Sequence, residues 1–198
     1  MNSIRKIAFV TPEEYFEYEK SIEGRAEYFD GMIFDMAGGS KGHGQIPLNL
    51  AAELIYALKG KSCIVYNADV KVKLTTEHAY FYPDLSVVCG ESEDSRINNE
   101  IIENPLLIVE VLSESTAIKD IGVKFFKYQQ IPSLLEYVLV DQFSPMINVL
   151  TRNDAGGWSV KSYGGMESVI RLESLDLSIS LAAIYDKVAF PSHKSPLI

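Results

Sequence analysis

The segment LLIVEVL at residues 106–112 is apolar at every position except Glu110. A short run this apolar is typical of a strand that is buried on both faces of a sheet. An ionised carboxylate is costly to bury unless it is paired, protonated or bound to a metal ion. The segment therefore predicts a central strand in which Glu110 has a specific partner, either a neighbouring basic side chain or a cation.

A second acid interrupts the preceding strand-like run, YFPDLSVV, where Asp84 follows a proline and precedes four strand-forming residues. Two carboxylates on neighbouring strands suit Mg²⁺ or Mn²⁺, because such ions take one or two carboxylates together with carbonyl oxygens and water. Each acid alone is more simply structural. The pair favours a metal site.

The remaining sequence alternates between helical and strand patterns. Helices are predicted from Thr11 to about Gly24, from about His43 to Lys59, from Thr116 to Gln130 and over 181–188, and Asp30-Gly31 predicts a hairpin turn. Strands are predicted in CIVYNADVKVKL, AYFYPDLSVV, PLLIVEVLS and LLEYVLVD, followed by an antiparallel meander in MINVLTR, WSVKSY and SVIRL. The segments GGSKGHG and EDSRINNEIIEN are interpreted as loops.

This order predicts an α/β or α+β fold, a mixed central β-sheet flanked by helices. The 198 residues fit one domain, 1–198, with a core at about 11–141 and a C-terminal meander and short helix at 142–190.

Lys124 lies on the helix that follows the Glu110 strand, four residues after Asp120. The spacing alone favours an ordinary surface ion pair. The alternative is that Lys124 projects back across the strand ends, where it would stabilise negative charge on a phosphate.

The net charge is −9 and the isoelectric point about 4.9, which counts against broad DNA binding because phosphate contacts normally need a basic surface. A local basic groove is still compatible with this charge. Lys71 and Lys73 share one face of VKVKL and could contact a polyanion, although a solvated strand face is the simpler interpretation.

The two cysteines, Cys63 and Cys89, lie in apolar runs without the spacing of a zinc site, and we expect them to be reduced core thiols. No apolar run reaches the roughly 18 residues that cross a bilayer, and the N-terminal stretch turns acidic before a signal-peptide core develops. We therefore expect a cytoplasmic protein without a membrane partner.

The combination of YFPDLSVV, LLIVEVLSESTAIKD and GVKFFKYQQIPSLLEYVLVD resembles the core pattern of the Uma-two family of restriction-endonuclease-like proteins, within the PD-(D/E)XK nuclease superfamily. The resemblance extends from TPEEYFEYEK and GRAEYFDGMIFDMAG to the strand ending at Asp141. It implies a restriction-endonuclease-like fold with a metal site at the edge of its sheet.

In this resemblance, Asp84 and Glu110 match the metal-binding acids, with the Val111 carbonyl as a further candidate ligand. Glu27 matches an acid that often joins the site, and an exposed hairpin acid is an equally simple interpretation. Lys124 matches the active-site lysine, displaced onto the helix, because Leu112 occupies the usual strand position. His43 matches a family histidine that could touch phosphate or substrate, although a capping or surface histidine is the simpler interpretation.

The leading hypothesis is a Mg²⁺- or Mn²⁺-dependent endonuclease that hydrolyses DNA phosphodiester bonds, assembled as a homodimer. One competitor is a non-catalytic, homodimeric interaction module that retains the nuclease scaffold. Another is a metal-dependent phosphoesterase with a different substrate.

Overall fold

The computed structural model describes residues 9–36, 38–74, 79–90, 101–192 and 195–198. Within these ranges the strands form one six-stranded, one five-stranded and one two-stranded sheet, with helices packed against them. The predicted fold class, mixed sheet flanked by helices, is confirmed. Most of the predicted loop EDSRINNEIIEN lies outside the described residues, but its Ile101–Ile102 forms a short strand.

The helices are α1 (Pro12–Ser21), α2 (Lys41–Ala57), α3, which joins a π-helical segment (Lys119–Lys124) to an α-helical turn (Phe125–Tyr128), and α4 (Leu181–Ile184). A 3-10 turn spans Glu173–Leu175. The strands are β1 (Ala26–Phe29), β2 (Met32–Asp35), β3 (Cys63–Asn67), β4 (Lys71–Leu74), β5 (Ala79–Phe81), β6 (Leu85–Cys89), β7 (Ile101–Ile102), β8 (Leu107–Leu112), β9 (Glu136–Asp141), β10 (Met146–Arg152), β11 (Trp158–Gly164), β12 (Val169–Leu172) and β13 (Leu177–Ser180).

The six-stranded sheet has the order β11-β10-β9-β8-β6-β3, in which β8 and β9 run parallel and the other neighbours run antiparallel. Every residue of β8 is buried, as its apolar sequence predicts. Val109 and Val111 pack into one hydrophobic cluster, and Ile108 and Leu112 pack into another on the opposite face. Glu110 shares the face of Ile108 and Leu112 and is therefore enclosed between the two sheets.

The five-stranded sheet has the order β2-β1-β5-β4-β7, and the chain enters it three times, for β1 and β2, for β4 and β5, and for β7. The segments CIVYNADVKVKL and AYFYPDLSVV were each expected to be one strand, and this is wrong. The first is broken by a turn in which Asn67 accepts from the Asp69 N–H and the second by Pro83, which has no N–H to donate. Asp84 consequently lies at the point where the chain changes sheets.

The predicted C-terminal meander is confirmed for β10 and β11, which pair antiparallel, whereas β12 leaves it and pairs with β13, a strand that the sequence pattern does not predict. Side chains of this region share a hydrophobic cluster with α2 and β8, as Ile147 and Leu181 do with Leu54. The region after residue 142 therefore packs into the same core as the central sheet.

The helix and turn signals are largely confirmed. Thr11 and Glu14 form a reciprocal capping box at the start of α1, and Asp30 and Gly31 adopt positive φ angles of 52° and 73° in the β1–β2 turn. α2 begins two residues earlier than expected, because the Ser40 hydroxyl accepts from the His43 N–H. The second half of GGSKGHG is thus helical rather than a flexible loop. No helix in the described ranges is both long and apolar enough to cross a membrane.

The two cysteines form a disulfide between β3 and β6, so the expectation of reduced thiols is wrong. The cause is strand register, since Cys63 lies directly opposite Cys89 in the antiparallel pair. The amino-acid sequence does not reveal the register of this strand pair, so it could not show that the two thiols meet.

We predict that the unreduced protein, once denatured, exposes no thiol to Ellman's reagent and that reduction releases two. The double variant Cys63→Ser/Cys89→Ser should lose about 3 kcal/mol of unfolding free energy, because the bond closes a 26-residue separation in the unfolded chain. Denaturant titration measures this loss. Two reactive thiols in the unreduced protein would contradict the bond.

Candidate active site

The two acids that interrupt apolar strands lie opposite each other at the end of a strand pair. β6 and β8 are antiparallel, with Leu85 opposite Val109, so the same register continued by one residue places Asp84 opposite Glu110. Directly opposed residues project from the same face of a sheet. The pairing of the two acids, which the sequence only implied, is therefore a consequence of strand register.

Asp84 is held by the backbone of β8 and faces the start of α2. The Val111 N–H donates to Asp84 Oδ2 at 2.6 Å, and His43 Nε2 lies 3.7 Å from the same oxygen. Burial raises the pKa of Asp84, against the opposing effects of His43 and the Val111 hydrogen bond. Val111 was predicted to offer its carbonyl, and the contact that the structure adds is made by its N–H.

Glu110 accepts two side-chain hydrogen bonds inside the protein. Lys124 Nζ donates to Glu110 Oε1 at 2.9 Å, and the Tyr128 hydroxyl donates to the same oxygen at 3.3 Å. Burial raises the pKa of Glu110 well above its ordinary value; Lys124 opposes this effect, while the neighbouring acids Asp120, Asp84 and Glu27 add to it. A cation placed beside Glu110 would relieve this penalty.

Lys124 is surrounded by three carboxylates. Its Nζ lies 2.8 Å from Glu27 Oε1, 2.9 Å from Glu110 Oε1 and 3.3 Å from Asp120 Oδ1. Burial opposes its charge, but the three acids raise the pKa of Lys124 well above the ordinary value, so it keeps its proton. The spacing favours an ion pair at the surface, and this prediction is wrong because Asp120 and Lys124 are both buried.

Glu27 enters the site from β1 and is saturated with donors. Its Oε1 accepts from Lys124 and from the Tyr82 N–H at 3.2 Å, and its Oε2 accepts from Lys119. Burial opposes ionisation, but the two lysines outweigh it and hold the pKa of Glu27 below its ordinary value. Of the predicted ligands, Glu27 is thus the acid that already carries a full set of partners.

The local structure of α3 explains how one helix supplies both the acid Asp120 and the base Lys124 to the site. Its first six residues are π-helical, a geometry that is often found at functional sites. Asp120 and Lys124 point inward, whereas Ile118 on the outer face is 89% exposed. The Tyr137 hydroxyl donates to the Asp120 carbonyl at 2.8 Å and ties this segment to β9.

These groups line a cavity of about 470 Å³ that opens to solvent. Six carboxylates and two lysines contribute to its wall, so the acidic groups outnumber the lysines. The charged and ionisable residues are Glu27, Asp35, Asp84, Glu110, Glu114, Asp120, Lys119, Lys124 and His43.

The donor chemistry of the cavity fits Mg²⁺ or Mn²⁺, since both prefer carboxylate oxygens. In the described part of the chain, no three His, Cys, Asp or Glu side chains are placed to hold a metal ion together. A cation here would therefore use Asp84 and Glu110 and complete its shell with water. Asp120 Oδ1 accepts no hydrogen bond from the described residues and lies 3.3 Å from Lys124 Nζ.

Lys71 and Lys73 are not brought to this cavity. Lys71 is buried, pairs with Glu19 and lies 5.0 Å from the ring centroid of Phe16, while Lys73 donates to Glu103 at 2.8 Å. The prediction that both lysines lie on a solvated strand face is therefore wrong for Lys71. Any role of these lysines in substrate binding stays a prediction.

Three residues of the site were not identified from the sequence. The sequence pattern indicates Asp120 only as a surface partner of Lys124 and assigns neither Tyr128 nor Lys119 to the site. The spacing of Asp120, Lys124 and Tyr128 could have identified them, because residues four apart lie on one face of a helix. That face meets the strand ends.

Comparison with protein families identifies the chain. Residues 12–183 match the model of the Uma2 family, described as "Putative restriction endonuclease". The chain belongs to this family. The match confirms the resemblance inferred from the strand and helix motifs.

Two cyanobacterial relatives come from Synechocystis sp. (strain ATCC 27184 / PCC 6803 / Kazusa). Uncharacterized protein slr1290 is 37% identical over 181 residues, covering 91% of this chain and 94% of the relative. Uncharacterized protein sll1609 is 34% identical over 134 residues, covering 68% and 76%.

A solved structure shares the fold. The crystal structure of a putative nuclease belonging to DUF820 from Anabaena variabilis ATCC 29413 superposes with a TM-score of 0.74 at 14% identity, covering 91% of this chain and 99% of that one. At this identity the likeness establishes a shared fold, and the chemistry is argued from the site.

We predict that Glu27→Gln lowers the free energy of unfolding by about 3 kcal/mol near neutral pH, because it leaves two lysines without their shared counter-ion. The folded pKa of Glu27 is depressed, so its contribution is present above the unfolded pKa of about 4.3 and is lost as pH falls through the folded pKa. Denaturant unfolding at several pH values should show the difference from wild type shrinking in acid.

The matched control is Glu17→Gln, which removes an exposed carboxylate paired with Lys20 on α1. It should leave stability unchanged at every pH. A Glu27→Gln loss that is equally large in acid and at neutral pH would contradict the ion-pair account.

Proposed function

We propose that this member of the Uma2 family is a Mg²⁺- or Mn²⁺-dependent endonuclease that hydrolyses phosphodiester bonds in DNA. The observation that carries the proposal is the convergence of Asp84, Glu110 and Lys124 at one open cavity. Strand register sets the two acids opposite each other, and Lys124 Nζ lies 2.9 Å from Glu110. A cation-binding pair with an adjacent fixed ammonium group suits phosphodiester hydrolysis, because both the cation and the ammonium group stabilise negative charge on the phosphate.

Asp84 and Glu110 would hold the cation, with the Val111 carbonyl as a further candidate oxygen ligand. When bound, a divalent cation polarises phosphoryl oxygens and lowers the pKa of water, so that hydroxide forms near neutral pH. The Val111 N–H fixes one oxygen of Asp84, and Tyr128 and Lys124 fix one oxygen of Glu110. Both carboxylates are therefore oriented before a cation arrives.

Lys124 would stabilise the negative charge that develops on the phosphate. Its three carboxylate neighbours keep it protonated, and its burial keeps its charge from being screened by water. His43, 3.7 Å from Asp84 at the start of α2, is placed to contact a phosphate oxygen that enters the cavity.

The negative charge of the cavity supports cation dependence. Six carboxylates against two lysines repel a phosphodiester, so an anionic substrate can enter only after a divalent cation has offset part of this charge. A net charge of −9 is compatible with a DNA substrate for the same reason, because the proposed contact with the phosphodiester is confined to the cavity and its cation. We further propose that the protein acts in the cytoplasm as a homodimer.

A second candidate function is a non-catalytic interaction module on the nuclease scaffold. It is favoured by the ion pairs of the site, because Glu27 and Glu110 are already neutralised by Lys119 and Lys124. Such a module would bind neither Mg²⁺ nor Mn²⁺ at Asp84. Isothermal titration calorimetry with each ion separates the two functions.

We predict that Asp84→Asn reduces Mn²⁺-dependent cleavage of DNA by about 10³-fold, because a bound cation contributes several kcal/mol to the transition state. The measurement is the rate of conversion of a supercoiled plasmid, and thermal melting checks that the fold survives.

The matched control is Asp154→Asn, which alters an exposed aspartate in the β10–β11 turn and should cleave like wild type. Equal cleavage by wild type and Asp84→Asn would mean that the activity comes from a contaminant and would remove the support for this site.

We also predict that Mn²⁺ affinity falls as pH falls. The pKa values of Asp84 and Glu110 are raised by burial, so protons compete with the cation at pH values above the ordinary carboxyl range of about 4. Calorimetry in two buffers of different ionisation enthalpy should detect proton release on binding. An affinity that is constant from about pH 8 to pH 5 would contradict the raised pKa values.

A further inference from the structure

Lys119 differs from Lys124 in how far it reaches solvent. Both lysines line the cavity, but the Lys124 side chain is 6% exposed and contacts three carboxylates, whereas the Lys119 side chain is 24% exposed and pairs with one, Glu27. Lys119 is thus the cation of this wall that an incoming anion meets first.

An aromatic pair fixes the position of Lys119. Its Nζ lies 4.6 Å from the ring centroid of Phe34 and 5.2 Å from that of Phe29, and these two rings stack with centroids 4.4 Å apart. The rings attract the ammonium group without using its N–H donors. These contacts offset part of the entropic cost of ordering the long side chain at the cavity wall.

In the part of the chain that the structure describes, the ammonium group of Lys119 donates to one acceptor, the Glu27 carboxylate. A lysine has three N–H donors, and the contact with Glu27 Oε2 accounts for one. Glu27 in turn divides its charge between Lys119 and Lys124 and so neutralises Lys119 only in part. Lys119 can accordingly bridge Glu27 and a phosphate oxygen without breaking the existing pair.

We propose that Lys119 binds a backbone phosphate of the DNA strand beside the scissile phosphodiester, and that Glu27 is its positioning partner rather than a cation ligand. The inference rests on the proposed nuclease function and adds a substrate contact to it. Lys119, at the start of the π-helical segment of α3, would then bind the DNA strand, and Lys124, at its end, would act at the reacting phosphate.

The test compares Lys119→Gln, Lys119→Arg and wild type in two assays. Binding of a fluorescein-labelled DNA duplex is followed by anisotropy in Ca²⁺ over a series of NaCl concentrations, and cleavage is followed in Mn²⁺. Lys119→Gln should weaken binding about tenfold, raise KM by the same factor and leave kcat unchanged. Its slope of log affinity against log salt should fall by about 1, because one phosphate contact is lost.

Lys119→Arg keeps the charge and should retain the salt slope and KM, which a purely structural role would not require. The control is Lys161→Gln, an exposed lysine on β11 outside the cavity, which should behave like wild type. Melting temperatures of all variants check the fold.

Two results would overturn the proposal about Lys119 alone. The first is a wild type that cleaves DNA while Lys119→Gln keeps its KM and salt slope. The second is a loss of kcat at unchanged KM, which would mean that Lys119 acts only through Glu27 and Lys124. A wild type that neither binds nor cleaves DNA would instead overturn the nuclease function together with this inference.

Discussion

The buried ammonium group of Lys124 is the interaction on which the site depends. Three carboxylates from β1, β8 and α3 approach it within 3.3 Å, so one positive charge makes the burial of Glu27, Glu110 and Asp120 tolerable. Without it, Glu110 and Asp120 would lose their ammonium partner between two packed sheets, and Glu27 would keep only Lys119. The five-stranded sheet, the six-stranded sheet and α3 are therefore joined electrostatically at one point.

The positive charges of the site do not fully compensate the negative charges of its carboxylates. One ammonium group satisfies Glu27 with the help of Lys119, while the pKa values of Glu110 and Asp84 stay raised. A site that was purely structural would gain stability by replacing these acids with apolar side chains of similar volume. The uneven distribution of partners thus marks Asp84 and Glu110 as the pair available to a cation.

Strand composition and helix spacing were sufficient to predict the central strand, the first hairpin, the position of α2 and the fold class. They identified Asp84 and Glu110 because an acid in an apolar strand violates the local pattern. Lys124 required the family motif, since four-residue spacing from Asp120 is equally typical of an exposed ion pair. Burial of that pair depends on how α3 packs across the strand ends, which is a tertiary property.

The failures share one physical cause, which is that register and sheet membership are not local. Cys63 and Cys89 meet because β3 and β6 pair in one register, and a shift of one residue would have separated them. β3 and β4 looked continuous because both have strand composition on either side of a short turn. Lys71 looked solvent-facing because alternation does not reveal that α1 supplies Glu19 to cover it.

Anomalous diffraction from crystals soaked in Mn²⁺ tests the cation site most directly, because it locates the metal without reference to activity. The account predicts one peak between the carboxylates of Asp84 and Glu110, with Lys124 still bound to Glu27 and no bond from the metal to Glu27. A peak elsewhere in the molecule, or no peak in the cavity at saturating Mn²⁺, would contradict it.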